Sequence, residues 1–247
     1  MLKKIFFLFT ILTVLIGCNS KPEKKELLVA VAANMQYAMK EIGEEFTKKT
    51  KIPVEYIVSS SGKLTAQITA GAPYDIFISA NKKFPEALEK ENKILGKQKT
   101  FAFGKLILWT KEDFKPSLEI LSSDKVKKIA LANPKTAPYG EAAKQVLQNL
   151  NLLGELKSKL VFGESVAQTN QFIDTKSATL GFTAFSTIHI PNKTEKGNWF
   201  LIPEKYYNPI EQTVVVLKGK KEKEAEQFYD FLSSDIAKEI LKQNGYN

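Results

Sequence analysis

Leu27-Leu28-Val29-Ala30-Val31, running on into Ala32-Ala33-Asn34, is an uninterrupted apolar stretch that gives way to a helical pattern, with Met35, Ala38, Met39, Ile42 and Phe46 at three- to four-residue spacing. Apolar residues without alternation mark a strand covered on both faces, the environment of a parallel sheet flanked by helices. The alternation continues down the chain. Residues 51–58 read as a second strand, with Pro53 near its start where a missing N–H is tolerable. Ser59-Ser60-Ser61-Gly62 is a small polar turn before a helix that turns Leu64, Thr65 and Ile68 inward, and Gly71-Ala72-Pro73 stops it. Residues 74–79 are a third strand and 83–91 a helix. Further strands are expected over 101–110 (FAFGKLILWT), 129–132, 160–162, 179–185 and 212–217. Helices are expected from the end of the 133–140 loop through Leu150, from Gly163-Glu164-Ser165-Val166 through Ile173, and as one unit over 222–241 carrying Phe228, Phe231, Leu232, Ile236 and Ile240. This order is α/β.

The first strand–helix series closes near residue 100 and another opens at Ile129, while the polar, aromatic passage Lys205-Tyr206-Tyr207-Asn208-Pro209 precedes a last strand and helix. The expected division is a first lobe of residues 27–104 and 212–247 and a second of 105–211, each a mostly parallel sheet flanked by helices. Two chain crossings between lobes make a hinge suited to closing on a ligand.

The 247 residues are 43% hydrophobic and 26% charged, a composition that builds a sizeable core and excludes a disordered or polytopic membrane chain. A single cysteine, Cys18, rules out a disulfide scaffold, and a single histidine, His189, argues against a His-based metal site or a Ser-His-Asp triad. The net charge of +9 comes from lysine alone, since the chain has no arginine. Arginine is the residue suited to bidentate readout of phosphate and guanine, so the charge reads as a solvated surface and no nucleic-acid partner is expected.

Lys3 and Lys4 precede an apolar stretch, Ile5 to Ile16, too short to span a bilayer, and this reads as a secretory signal over 1–17. Its end, Leu15-Ile16-Gly17-Cys18, resembles the bacterial lipobox, which implies cleavage before Cys18, lipidation of its thiol and acylation of the new N-terminus. Residues 18–26 are then a polar tether, and the expected location is extracytoplasmic, anchored to a membrane by Cys18.

Four strand ends pass through small or hydroxyl-bearing residues into helix starts, at 32–34, 59–62, 137–140 and 163–166. The first N–H groups of a helix lack partners and carry about half a positive charge, so such ends accept anions. Ser61, the Asn34 amide and the Tyr139 hydroxyl could add donors. Serine, asparagine and glycine are also ordinary N-caps, which gives each junction a purely structural reading. Two junctions fall in each expected lobe, so a cleft ligand could be held from both sides by uncharged donors, unless Lys63 intrudes. Donors without acceptors favour a fully deprotonated oxyanion. Other motifs fail. Ser61-Gly62-Lys63 lacks the glycine and the Ser/Thr of a phosphate loop, Ile57 and Leu64 standing there. Asp75 and Glu141 have no evident partner for acid–base work, and no nucleophile has a base beside it, so no enzyme is expected.

At these same residues the chain resembles the molybdate-binding proteins of ABC importers, within the type II periplasmic binding protein fold. The likeness covers 27–247 and is strongest at VAVAAN (29–34), SSGKLTAQI (60–68) and GAPYDIFISAN (71–81), with echoes at ALANPKTAPYG (130–140), GFTAFS (181–186) and the ending Gly245-Tyr246. The resemblance implies a two-lobe monomer with a cleft that binds a tetrahedral molybdate or tungstate dianion through hydrogen bonds alone, with no metal chelation and no cofactor, for delivery to a permease and ATPase complex. It assigns the oxyanion to Asn34, Ser61, Tyr139 and Val166, with Ala33 giving a backbone N–H where some members have threonine. Ala184 stands where another subgroup has a ligand tyrosine, so the tyrosine donor here is Tyr139. Sulfate or another tetrahedral oxyanion in the same fold is the alternative ligand, and a lipid-anchored hydrolase the alternative class.

Overall fold

The computed structural model describes residues 26–192, 194 and 197–247. The signal segment 1–17, Cys18 and residues 19–25 of the tether lie outside the described residues. In chain order the first series is β1 (Leu27–Ala32), α1 (Gln36–Thr50), β2 (Val54–Ser59), α2 (Ser61–Thr69), β3 (Ile76–Ser79), α3 (Lys83–Lys90) and β4 (Ile94–Gly104). The second is β5 (Leu106–Thr110), β6 (Ile129–Ala132), α4 (Pro138–Asn149), β7 (Leu160–Gly163), α5 (Val166–Asp174), β8 (Leu180–Ala184) and β9 (Asn198–Leu201). The chain ends with β10 (Ile210–Leu217), α6 (Glu222–Phe231) and α7 (Asp235–Gln243).

These strands form two five-stranded sheets, ordered β2-β1-β3-β10-β4 and β7-β6-β8-β5-β9. Both are mixed and, as expected, mostly parallel, four of the five strands in each running the same way and one against them. In the first, β1 pairs parallel with β2 and β3, while β10 pairs antiparallel with β3 and β4. In the second, β6 pairs parallel with β7 and β8, while β5 pairs antiparallel with β8 and β9. The antiparallel members include the strands at the passages between sheets, which apolar runs alone do not orient.

The expected single strand over 101–110 is broken. β4 ends at Gly104 and β5 begins at Leu106 in the other sheet, with Lys105 alone between them. Gly104 is needed at this crossing, because a Cβ there would sit 2.0 Å from the Tyr139 hydroxyl oxygen. The polar start of β4, Ile94 to Thr100, and the short β9 were not foreseen, since their pairing with β10 and β5 is tertiary.

The α1 stripe is as the spacing predicts: Ala38, Met39, Ile42 and Phe46 are buried, and Phe46 meets Phe228 and Phe231 edge-on at 5.0 and 5.5 Å between ring centres. The expected C-terminal helix is two. Ser234 caps α7, its Oγ accepting from the Ala237 N–H at 3.2 Å, and the break rotates the following turn. Ile236, expected inward, is therefore 48% exposed, whereas Phe228, Phe231, Leu232 and Ile240 are buried. Thr65 also differs: it is half-buried and its hydroxyl donates to the Ser61 carbonyl at 2.8 Å.

Candidate functional site

The helix starts meet where the two sheets face each other. A single 3₁₀ turn, Ala33–Met35, carries β1 into α1, and Ser60 in extended conformation opens α2. Ala137 precedes α4, which has Pro138 in its first turn where no N–H is missed, and Ser165 precedes α5. The Gly62 N–H donates to the Thr136 carbonyl at 2.8 Å, joining the start of α2 to the loop before α4. A side chain at Gly62 would collide with Thr136 Cα, at 2.8 Å, so glycine permits this approach. Ala32, Ala33 and Ala80 belong to one buried cluster with Ala137, Tyr139 and Val166, and the two halves are thus in contact.

Within this seam each sequence-derived residue has a distinct position. Ser61 is fully buried and its Oγ accepts from the Ala80 N–H at 3.1 Å, which leaves its own hydrogen for another acceptor. Tyr139 is 2% exposed and its hydroxyl has no hydrogen-bond partner. Burial, followed by the neighbouring Tyr246 and Tyr207 phenols, pushes its pKa well above the ordinary tyrosine value against the smaller opposing pull of the nearby Asn34 and Ser186 side chains, neither of which meets the hydroxyl in hydrogen-bond geometry, so it stays a donor. Val166 and Ala33 are buried and offer main-chain N–H groups at their helix starts.

Asn34 departs from expectation. Both hydrogens of its side-chain amide are engaged, with Gln212 Oε1 at 2.8 Å and Tyr246 Oη at 3.1 Å. What it retains for a ligand is its main-chain N–H. Lys63 does not intrude: it pairs with Glu164 of the other half at the rim, where Glu164 is largely exposed and Lys63 partly so.

Sequence reasoning missed three groups. Ser60 sits at the N-cap of α2 without capping it, and its Oγ is buried without a partner. Thr136 Oγ1, beside the Gly62 contact, is likewise unpartnered and buried. Ser186 donates to the Asn34 carbonyl at 3.0 Å from the short turn after β8. The serine run at 59–61 was the signal for the first; the other two are set only by how the halves meet.

An unsatisfied buried hydroxyl costs about 1–3 kcal/mol, so such groups are normally paired. Tyr139, Ser60 and Thr136 place three of them in one seam. Among the described residues the only buried ionisable carboxylate or ammonium is Asp75, and it is elsewhere. Its Oδ2 accepts from the Leu28 N–H at 2.8 Å, at the end of β1 away from Asn34, with Lys221 at 3.9 Å. No cluster of three or more metal-ligating side chains occurs among the described residues. The seam is therefore a set of uncharged donors lacking acceptors, which suits an anion with no proton of its own.

Residues 27–247 match the family model described as bacterial extracellular solute-binding protein. The chain belongs to that family. Among its members, this solute-binding protein is 40% identical over 239 residues to the molybdate-binding protein ModA of Azotobacter vinelandii, covering 94% of this chain and 93% of that one. It is 37% identical over 241 residues to the ModA of Rhodobacter capsulatus, covering 96% and 94%. In three dimensions it superposes on the periplasmic molybdate-binding protein of Azotobacter vinelandii with a TM-score of 0.84 at 35% identity, over 90% of this chain and 98% of the other. The two mixed sheets flanked by helices are thus the solute-binding protein fold.

Proposed function

We propose that this solute-binding protein captures molybdate or tungstate between its two lobes, residues 27–104 with 212–247 and residues 105–211, and hands it to an ABC permease and ATPase complex. The observation that carries the reading is the Tyr139 hydroxyl, buried and without a partner in a seam of neutral donors. The identity to proteins named as molybdate-binding supports the same ligand. The Ser61 hydroxyl, the Tyr139 hydroxyl and the N–H groups of Ala33, Asn34 and Val166 hold the four oxygens, and Ser60 lies next to them. A dianion supplies acceptors to every donor and needs none in return, whereas a P–OH group could donate only to a hydroxyl oxygen and would bring one acceptor fewer to the donors around it. One lobe takes the anion and the other adds its donors on closing, which is the differential contact that shifts the open–closed balance. The protein acts by binding, as a monomer without covalent chemistry or cofactor, outside the cytoplasm and tied to a membrane through lipidated Cys18.

Titration calorimetry with molybdate, tungstate, sulfate and phosphate tests this. Tight binding of the first two with weak or no binding of the others is expected. Preference for sulfate would move the reading to a different oxyanion carrier, and no binding of any would remove it.

A further inference from the structure

The strongest unassigned cluster is at the chain's end. Tyr246 is 3% exposed although it is the penultimate residue, and its hydroxyl lies 2.8 Å from the Asn34 carbonyl oxygen and 2.9 Å from Ser186 Oγ. Ser186 reaches the same carbonyl at 3.0 Å. The Asn34 side chain closes the ring by donating to Tyr246 and to Gln212, whose Nε2 is anchored on the Ile210 carbonyl at 3.0 Å. Asn34 and Tyr246 belong with the first sheet, whereas Ser186 follows β8 of the second.

The tail is held in place for this. The last residue, Asn247, exchanges both main-chain hydrogen bonds with Phe103 at 3.1 Å, on the strand that leads to the crossing at Lys105. Gly245 adopts φ +82°, and a Cβ there would strike the Phe185 ring at 2.6 Å. The backbone thus passes close to the residue before Ser186, in a conformation that favours glycine.

We infer that Tyr246 is a positioning residue of the anion site, which with Ser186 clasps the Asn34 carbonyl across the two lobes. The inference deepens the oxyanion reading and rests on it. A carbonyl oxygen beside a dianion is repulsive unless its lone pairs are occupied. Two hydroxyls occupy them here and turn the Ala33–Met35 turn so that its N–H groups, not its carbonyl, serve the anion. Ser186 reaches the carbonyl only when the lobes meet, so the clasp also slows reopening.

The test is stopped-flow molybdate binding to Tyr246→Phe, Ser186→Ala and the double variant. Tyr246→Phe should weaken affinity roughly tenfold, through faster release at an unchanged association rate. Ser186→Ala, far away in sequence and on the other lobe, should do the same, and the double variant should lose little more than either single one, because the two share one carbonyl. Wild-type affinity in Tyr246→Phe, or losses that simply add, would overturn the clasp. Should Tyr246→Phe fail to fold, the release rate of Ser186→Ala decides alone: unchanged release overturns the clasp. Failure of wild-type protein to bind any oxyanion would instead sink the parent reading.

Discussion

At the scale of single residues, the informative atoms are those that the fold leaves unsatisfied. Removing the Tyr139 hydroxyl should have opposite effects on the free and bound protein. The ligand-free form loses a buried group with no partner, so Tyr139→Phe should raise its stability by about 1 kcal/mol, while molybdate affinity falls about 10- to 100-fold. Chemical denaturation and calorimetry on one preparation would check both; a stability loss together with unchanged affinity would place the phenol outside the site. Asn34 shows what a residue type alone does not reveal. An asparagine at a helix start reads as a donor, but its amide is spent on Gln212 and Tyr246, 178 and 212 positions away. Ser60 and Ser61 are neighbours with different roles for the same reason: only Ser61 meets the Ala80 N–H.

Among the elements, strands buried on both faces were the clearest to read, because unbroken apolar runs leave little choice: β1, β3, β6 and β8 were all visible. Element ends and breaks were less so. The pattern of α6 and α7 is continuous enough to suggest one helix, and the interruption depends on Ser234 competing for the backbone of the next turn. Losing that cap in Ser234→Ala should cost about 1 kcal/mol. For a chain of this size that lowers the melting temperature by about 2–4 °C, readable by calorimetry, with anion affinity unchanged. A shift of zero would mean that the Ala237 N–H finds water as good a partner.

For the whole molecule, the contacts between the two halves are of different kinds, and their weights differ. The Gly62–Thr136 contact and the Ser186–Asn34 contact are inside the seam, whereas Lys63 and Glu164 meet at its rim with much of both side chains in water. Exposed pairs contribute little and are screened by salt. Glu164→Gln should therefore change molybdate affinity by less than about threefold at physiological salt, measured by titration, in contrast to the internal substitutions. A tenfold loss would make the rim pair a latch in its own right.

What the amino-acid order determined by itself is local: which runs are apolar on both faces, where helices start with unsatisfied N–H groups, and that no buried arginine, histidine pair or cysteine cluster is on hand to bind a cargo by charge or coordination. Those features follow from neighbours within a few positions. The crossing at Gly104–Lys105, the mixed sheets, the three unpartnered hydroxyls and the reach of Tyr246 into the seam were decided only in three dimensions. Each depends on groups far apart in the chain, and whether a polar atom has a partner is a property of the packed molecule, not of the residue that carries it.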